Sequence, residues 1–68
     1  MMFIARDKDR HLYLFNDVPR RGTECWWSEK GVDGTYLRLE DSLYPEVTWD
    51  SEPLSVMLTV EVPGNRLP

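Results

Sequence analysis

Residues 2–15, MFIARDKDRHLYLF, decide the fold of this chain. Apolar and aromatic side chains alternate through residues 2–6 and 11–15, which is the period of two expected of β-strands, and the polar run between them is typical of a turn. The segment therefore predicts an antiparallel hairpin. Asp9 or Arg10 stands where glycine would relieve a positive φ, which costs about 1 kcal/mol.

The same period extends through most of the chain. Residues 24–28 and 35–39 predict a third and a fourth strand, which we expect to form a second hairpin across the two glycines between them. Residues 54–62 place five apolar side chains on one face of a long fifth strand. Residues 16–22 read as a loop, and residues 41–44 predict a short 3₁₀ turn that Pro45 ends. The predicted core consists of Phe3 or Ile4 together with Leu12, Leu14, Trp27, Leu37, Leu39, Val56, Leu58 and Val60.

A chain of 68 residues has room for one small core. We expect a single all-β domain over residues 1–63, followed by a frayed tail at 64–68. Five mostly antiparallel strands in this length predict a strongly bent sheet or a small, partly open barrel, because closing a sheet protects its edges.

Several classes of protein are disfavoured by what the sequence lacks. No apolar run is long enough to span a membrane or to serve as a secretion signal, and Cys25 is the single cysteine, so we expect a cytoplasmic protein without a disulfide. Asp7 and Asp9 do not continue into a calcium loop. His11 and Cys25 have no recognisable third catalytic group. We therefore predict no catalytic residue, no metal site and no cofactor.

The charges are divided unevenly along the chain. Residues 1–21 carry five basic and three acidic side chains, whereas residues 22–62 carry two basic and nine acidic ones. A nucleic acid would meet a small basic edge and a large repulsive surface, so nucleic-acid binding is not expected. The acidic half instead permits a second hypothesis, in which it blocks a basic groove on another protein. That surface would include Glu40, Asp41, Glu46 and Asp50.

Aromatic side chains exceed what one face of a small sheet requires, since the chain has three Trp, three Tyr and two Phe residues. Adjacent strand residues point to opposite faces, so Trp26 and Trp27 cannot both enter one core. The leading hypothesis is a non-enzymatic protein-interaction module, because Trp, Tyr and Arg are enriched at binding hot spots. A structural homodimer is a further alternative. The predicted contact residues are Trp26, Tyr36, Tyr44, Trp49, Arg20 and Arg21.

Part of the chain resembles the SH3 domains. The resemblance lies in Cys25-Trp26-Trp27, in Gly34-Thr35-Tyr36-Leu37 and in Leu43-Tyr44-Pro45-Glu46-Val47. It implies an SH3-like barrel with a 3₁₀ turn before its last strand. The family's early Ala-Leu-Tyr-Asp-Tyr motif is missing, so proline-motif recognition is not carried over.

A second resemblance spans roughly residues 3–58. The chain looks like a set of short uncharacterised bacterial proteins, some of them associated with phages or prophages, in which glycine usually stands at the position of Arg10. This resemblance implies a free-standing module with no catalytic residues. If the acidic half blocks a basic groove on another protein, the resemblance implies that the chain is a phage-type inhibitor of a host protein. The matching segments are residues 5–9, 12–15, 18–20, 25–27, 41–49 and 52–53.

Overall fold

A computed structural model describes residues 1–31, 36–57 and 59, with the side chain of Tyr36 excepted. Strands and turns make up this part of the chain, which confirms the all-β prediction. The strands are β1 (Met2–Arg6), β2 (Leu12–Phe15), β3 (Arg20–Arg21), β4 (Trp26–Trp27), β5 (Tyr36–Leu39) and β6 (Leu54–Val56).

Four of these strands form one antiparallel sheet in the order β5-β2-β1-β6. The predicted hairpin of β1 and β2 is present, with Ile4 opposite Leu14 and Arg6 opposite Leu12. Strands β3 and β4 form a separate two-stranded sheet, which we call the ribbon. Neither sheet closes on itself within the described residues.

Both faces of the four-stranded sheet are covered. The even-numbered residues of β1 and β2 share one face, where Ile4 and Leu12 pack with Val47 from the segment between β5 and β6. We call this the Val47 face. Leu14, Leu39 and Val56 are partly buried at its margin.

The opposite face carries the aromatic residues, and we call it the Trp26 face. Ala5 and Phe15 of the sheet pack there with Trp26 of the ribbon, and Tyr13 and Trp49 adjoin them. Two small cores on opposite sides of one sheet therefore accommodate the aromatic side chains that a single core could not hold.

The strand predictions need three corrections. Arg20 and Arg21 lie in a strand rather than in a loop, because they pair with Trp27 and Trp26. The predicted third and fourth strands do not form a hairpin, since β5 pairs with β2 instead. Six strands are described rather than five. The part of the predicted last strand beyond Met57, including Leu58 and Val60, lies outside the described residues except for Thr59.

The core predictions also need correction at two positions. Trp27 is 47% exposed, while its neighbour Trp26 is 7% exposed, so the predicted inner and outer tryptophans are reversed. The physical reason is that the ribbon turns its Trp26 side toward the sheet. Leu37 is 61% exposed because it lies on the edge strand β5, outside the area that Val47 covers.

The segment between β5 and β6 is a succession of tight turns. Backbone hydrogen bonds close them between Leu43 N–H and the Glu40 carbonyl, between Val47 N–H and the Tyr44 carbonyl, and between Ser51 N–H and Thr48. The predicted 3₁₀ turn at residues 41–44 is thus a single hydrogen-bonded turn that begins one residue earlier. We call residues 40–51 the turn segment.

The buried guanidinium of Arg6 holds the turn segment against the sheet. Its Nε donates to the Val47 carbonyl, its Nη1 donates to the carbonyls of Arg10 and Asp41 at 2.9 and 3.0 Å, and its Nη2 donates to those of Leu43 and Tyr44 at 2.8 and 3.1 Å. These five bonds supply hydrogen-bond donors to backbone carbonyl groups that are not paired in a β-sheet. Hydrogen bonds of this kind are charge-assisted and stronger than neutral ones.

Two residues other than glycine adopt a positive φ within the described part of the chain, Arg10 at 80° and Tyr44 at 47°. The expected strain in the hairpin turn is therefore confirmed and lies at Arg10. Both residues present a carbonyl oxygen to Arg6. The backbone strain is thus localised where the chain bends around the guanidinium.

Candidate functional site

The ribbon is anchored to the sheet through Asp7 and Trp26. Oδ1 of Asp7 accepts from the Trp26 N–H at 2.8 Å, and the Trp26 indole Nε1 donates to the Arg6 carbonyl at 3.1 Å. Lys8 N–H adds a backbone bond to the Glu24 carbonyl. Burial raises the pKa of Asp7, although the hydrogen bond from Trp26 offsets part of that effect. These bonds place the ribbon on the Trp26 face in one orientation.

Arg21 is packed between two indoles. Its Cζ lies 4.4 Å from the ring centroid of Trp26 and 4.7 Å from that of Trp49, and the two rings meet edge to face at 6.1 Å. Nη1 of Arg21 donates to the Trp49 carbonyl at 2.7 Å. The predicted contact residues Trp26, Arg21 and Trp49 are therefore brought together, but as a stacked structural unit in which Trp26 is buried.

Trp27 points away from this unit, toward solvent. Its indole lines a concave surface of about 860 Å³, which we call the ribbon groove, and Val18 in the same groove is 57% exposed. Two strand-paired residues, Trp27 and Arg20, thus present an indole and a guanidinium on one rigid element. The remaining lining residues are Asp17, Pro19, Arg21, Trp26, Glu29, Lys30 and Glu52.

Ion pairs flank the exposed indole. Arg20 pairs with Glu29, and the Lys30 ammonium lies 3.4 Å from Asp17. The backbone N–H of Val18 and the Lys30 ammonium lower the pKa of Asp17, so its carboxylate stays ionised at neutral pH. All four side chains are largely exposed, and exposed pairs of this kind contribute little to stability. Their charges are therefore accessible to a partner at small cost to the fold.

The other predicted contact residues lie elsewhere. Tyr44 is in the part of the turn segment that Arg6 holds over the Val47 face, whereas Trp49 of the same segment and the ribbon lie on the opposite face. Tyr36 is in β5, and its side chain lies outside the described part of the structure. The predicted six-residue patch is consequently split between two sides of the sheet. Trp27, the exposed ring of the groove, was predicted to lie in the core. The sequence signal that bears on it is the rule that adjacent strand residues point to opposite faces, which fits equally well with Trp26 inside and Trp27 outside.

The acidic residues of the turn segment are exposed and close together in sequence. Glu40, Asp41, Glu46 and Asp50 are all exposed, and Glu52 follows them directly. No lysine or arginine occurs from residue 40 to residue 52. The residues of the acidic hypothesis therefore share one continuous segment, held by the Arg6 guanidinium beneath it.

One of these carboxylates takes part in a small polar cluster. Arg38 Nη2 lies 2.8 Å from Nδ1 of His11 and 3.2 Å from Oδ2 of Asp41, and the same Nδ1 lies 3.2 Å from that oxygen. Partial desolvation raises the pKa of Asp41, but the hydrogen bonds from His11 and Arg38 together bring it below its ordinary value. Nowhere in residues 1–31, 36–57 and 59 do three or more His, Cys, Asp or Glu side chains form a group suited to a metal ion.

Comparison with known proteins gives no match. No protein-family model, no curated protein and no solved structure matches the chain significantly. Within the described residues, no helix has the length and apolar character required to cross a membrane.

Proposed function

We propose that this protein is a non-enzymatic protein-interaction module that binds its partner through the ribbon groove. The observation that carries the proposal is the exposure of Trp27 beside its buried neighbour Trp26. A half-exposed indole in a concave surface is costly to leave in water, since aromatic side chains bury large areas in cores and interfaces. The two tryptophans have separate tasks in this proposal: Trp26 fixes the ribbon, and Trp27 contacts the partner.

The surroundings of Trp27 support an interface. Arg20 neighbours it across the ribbon, and Trp and Arg are the residue types most enriched among binding hot spots. Val18 adds exposed apolar area. The ribbon is held by Asp7 and by the Arg21 stack, so little conformational entropy would be lost on binding. An apolar centre flanked by ion pairs is the usual anatomy of a specific interface.

The test is a comparative capture of partners from a lysate of the source cells. Wild-type protein and the variants Trp27→Ala and Arg20→Glu would be immobilised, and captured proteins quantified by mass spectrometry. We expect one or a few proteins to be depleted more than tenfold by Trp27→Ala, because truncation of a hot-spot side chain costs about 2 kcal/mol or more. Retention of every wild-type partner by a folded Trp27→Ala protein would refute the proposal.

Leu37→Ala provides the matched control. Leu37 is also a large exposed apolar residue, but it lies on β5 rather than in the ribbon groove. We expect this variant to keep the partners that Trp27→Ala loses. Far-UV circular dichroism of each variant would verify that the sheet is intact. Equal losses with both variants would indicate non-specific hydrophobic capture instead of a defined interface.

A second candidate function is a phage-type inhibitor that blocks a basic groove on a host protein. It is favoured by the acidic turn segment, in which Glu40, Glu46 and Asp50 are exposed and no lysine or arginine occurs from residue 40 to residue 52. Binding through this surface should weaken as salt increases, because exposed charges are screened over about 10 Å at 0.1 M ionic strength. A triple Glu40→Gln, Glu46→Gln, Asp50→Asn variant should lose the partner while Trp27→Ala keeps it. The opposite pattern would reject the inhibitor and support the ribbon groove.

The remaining expectations stay proposals beside these two. They are an SH3-like barrel, a cytoplasmic location, and a homodimer as the alternative structural role. Sedimentation equilibrium at working concentration would test the homodimer, since a strict monomer excludes it.

A further inference from the structure

We propose that His11 is a pH-sensitive switch that exchanges Arg38 for Asp41 as the partner of its Nδ1 atom when the imidazole gains a proton. Nδ1 lies 2.8 Å from Nη2 of Arg38 and 3.2 Å from Oδ2 of Asp41. A guanidinium only donates hydrogen bonds, and an ionised carboxylate only accepts them. One ring nitrogen cannot accept the first bond while donating the second, so the presence or absence of a hydrogen on Nδ1 selects between them, and a protonated ring always carries that hydrogen.

In the neutral ring, the tautomer with its hydrogen on Nε2 leaves the Nδ1 lone pair free to accept from Arg38. The short distance of 2.8 Å fits this bond better than the longer distances of 3.2 and 3.4 Å to Asp41. Arg38 Nη2 simultaneously approaches both oxygens of Asp41, so it bridges the imidazole and the carboxylate. Strand β5 and the start of the turn segment are then joined to the hairpin turn through one guanidinium.

In the protonated ring, Nδ1 carries a hydrogen and donates to Asp41. Nε2 then faces Oδ2 of Asp9 at 3.8 Å, which is a second favourable charge contact. Arg38 has no acceptor left on the ring and meets a like charge, so it must leave Nδ1. The hairpin turn becomes joined to Asp41 directly, and the guanidinium of the edge strand is released from the imidazole.

The charged groups around His11 come from three elements. The hairpin turn supplies Asp7 and Asp9, β5 supplies Arg38, and the turn segment supplies Asp41. Arg6 adds a second guanidinium that holds the Asp41 carbonyl and so keeps this carboxylate in place. An ordinary imidazole changes its charge between pH 5 and 8, and this is the range over which the exchange is tested. The inference does not depend on the proposed ribbon-groove function.

Nitrogen-15 NMR of the imidazole tests the neutral state at pH 8. In the wild-type protein we expect Nδ1 to show the shift of an unprotonated acceptor and Nε2 that of an N–H group. In Arg38→Met, which removes the donor, Asp41 becomes the sole partner of Nδ1, so the predominant tautomer should change to Nδ1–H. Asp41→Asn in the Arg38→Met background should abolish that preference. A wild-type ring protonated at Nδ1 at pH 8, or an unchanged tautomer in Arg38→Met, would overturn the proposal.

The exchange of partners is followed on the guanidinium itself. Between pH 8 and pH 5 the Nη signals of Arg38 should shift together with the His11 ring signals, and His11→Gln should eliminate that shift. Arg20 is the internal control, since it is an exposed arginine paired with Glu29 and distant in sequence from the cluster. Equal responses of Arg38 and Arg20, or a response of Arg38 that survives His11→Gln, would show that His11 does not control this contact.

Discussion

Arg6 anchors the turn segment through its backbone carbonyls. Its guanidinium donates to five backbone carbonyls, four of them in the turn segment, and it is buried. Arg6→Met keeps much of the apolar stem but removes the donor that Arg6 supplies to each carbonyl. The Tyr44 carbonyl keeps its bond from the Val47 N–H, whereas the others lose this partner, and unsatisfied buried polar groups cost about 1–3 kcal/mol each. We expect the free energy of unfolding, measured by urea titration, to fall by about 3 kcal/mol or more.

The control for Arg6→Met is Arg20→Met, in which the same change is made at an exposed arginine. It should alter the free energy of unfolding by no more than about 0.5 kcal/mol, as is usual at exposed positions. Arg6→Lys retains a cation with three donors and should lie between the other two variants. Equal stabilities of Arg6→Met and Arg20→Met would contradict the role assigned to Arg6.

Arg10 is the position at which a substitution should stabilise the fold. Its φ of 80° is strained for any residue with a Cβ atom, whereas glycine adopts it freely. The bond to Arg6 uses the backbone carbonyl of residue 10, which glycine retains. Arg10→Gly should therefore raise the free energy of unfolding by up to about 1 kcal/mol. The gain would be measured as a higher midpoint of thermal unfolding. Lys8→Gly in the same turn, where φ is not positive, should not stabilise; a gain there as large as at residue 10 would argue against relief of strain.

At the scale of elements, the attachment of the ribbon predicts a particular dependence of stability on pH. Burial raises the pKa of Asp7 above its ordinary value of 3.8, so the folded protein takes up this proton more readily than the unfolded chain. The contribution of Asp7 to the free energy of unfolding is then most favourable at low pH. It weakens as the pH rises from 3.8 through the raised pKa of the folded protein. The lowered pKa of Asp41 has the opposite effect, because the contribution of Asp41 to the free energy of unfolding is lost as the pH falls.

Asp7→Asn isolates the first of these effects. An amide oxygen can still accept from the Trp26 N–H, but it carries no charge to bury. We expect the stability of Asp7→Asn relative to wild type to increase as the pH rises above 3.8, in urea titrations at several pH values. Asp7→Leu should instead lose about 1–3 kcal/mol, since the Trp26 N–H is left without an acceptor. A difference between Asp7→Asn and wild type that does not vary with pH would be inconsistent with a buried carboxylate.

Period-two alternation was sufficient to predict the elements whose partners are close in sequence. It placed β1 and β2, their antiparallel pairing and the strained turn between them, because a hairpin is determined locally. It failed for β3 and for the side that each tryptophan takes, because the Trp26 orientation depends on Asp7 and Arg6, about twenty residues away. The stack of Arg21 between Trp26 and Trp49 was equally hidden, since it joins residues 28 positions apart.

The candidate surface was predicted in composition but not in location. Arg20 was among the predicted contact residues, whereas Trp27, which pairs with it across the ribbon, was predicted to lie in the core. Alternation along each strand divides the aromatic side chains into an inner and an outer set. The sheet has a core on each face, which alternation does not reveal, so a ring predicted to be exposed, such as Trp26, lies in the second core.

At the scale of the whole molecule, the two cores should behave as one cooperative unit. They share the central strands β1 and β2, and Arg6 joins both layers: its carbonyl accepts from Trp26 of the ribbon, and its guanidinium donates to Val47 of the turn segment. Neither the ribbon nor the turn segment has a core of its own. Loss of packing on one face should therefore lower the stability of the other by the same amount.

Val47→Ala tests this cooperativity, because it removes buried volume from the face opposite the tryptophans. We expect a loss of about 2 kcal/mol, the lower end of the range for shortening a buried aliphatic side chain to alanine. Tryptophan fluorescence, which reports the Trp26 face, and far-UV circular dichroism, which reports the sheet, should give the same lowered urea midpoint. Trp27→Ala, at an exposed position, should leave that midpoint nearly unchanged. If the fluorescence midpoint stayed at its wild-type value in Val47→Ala while the dichroism midpoint fell, the two faces would unfold independently, and the link through Arg6 would not couple them.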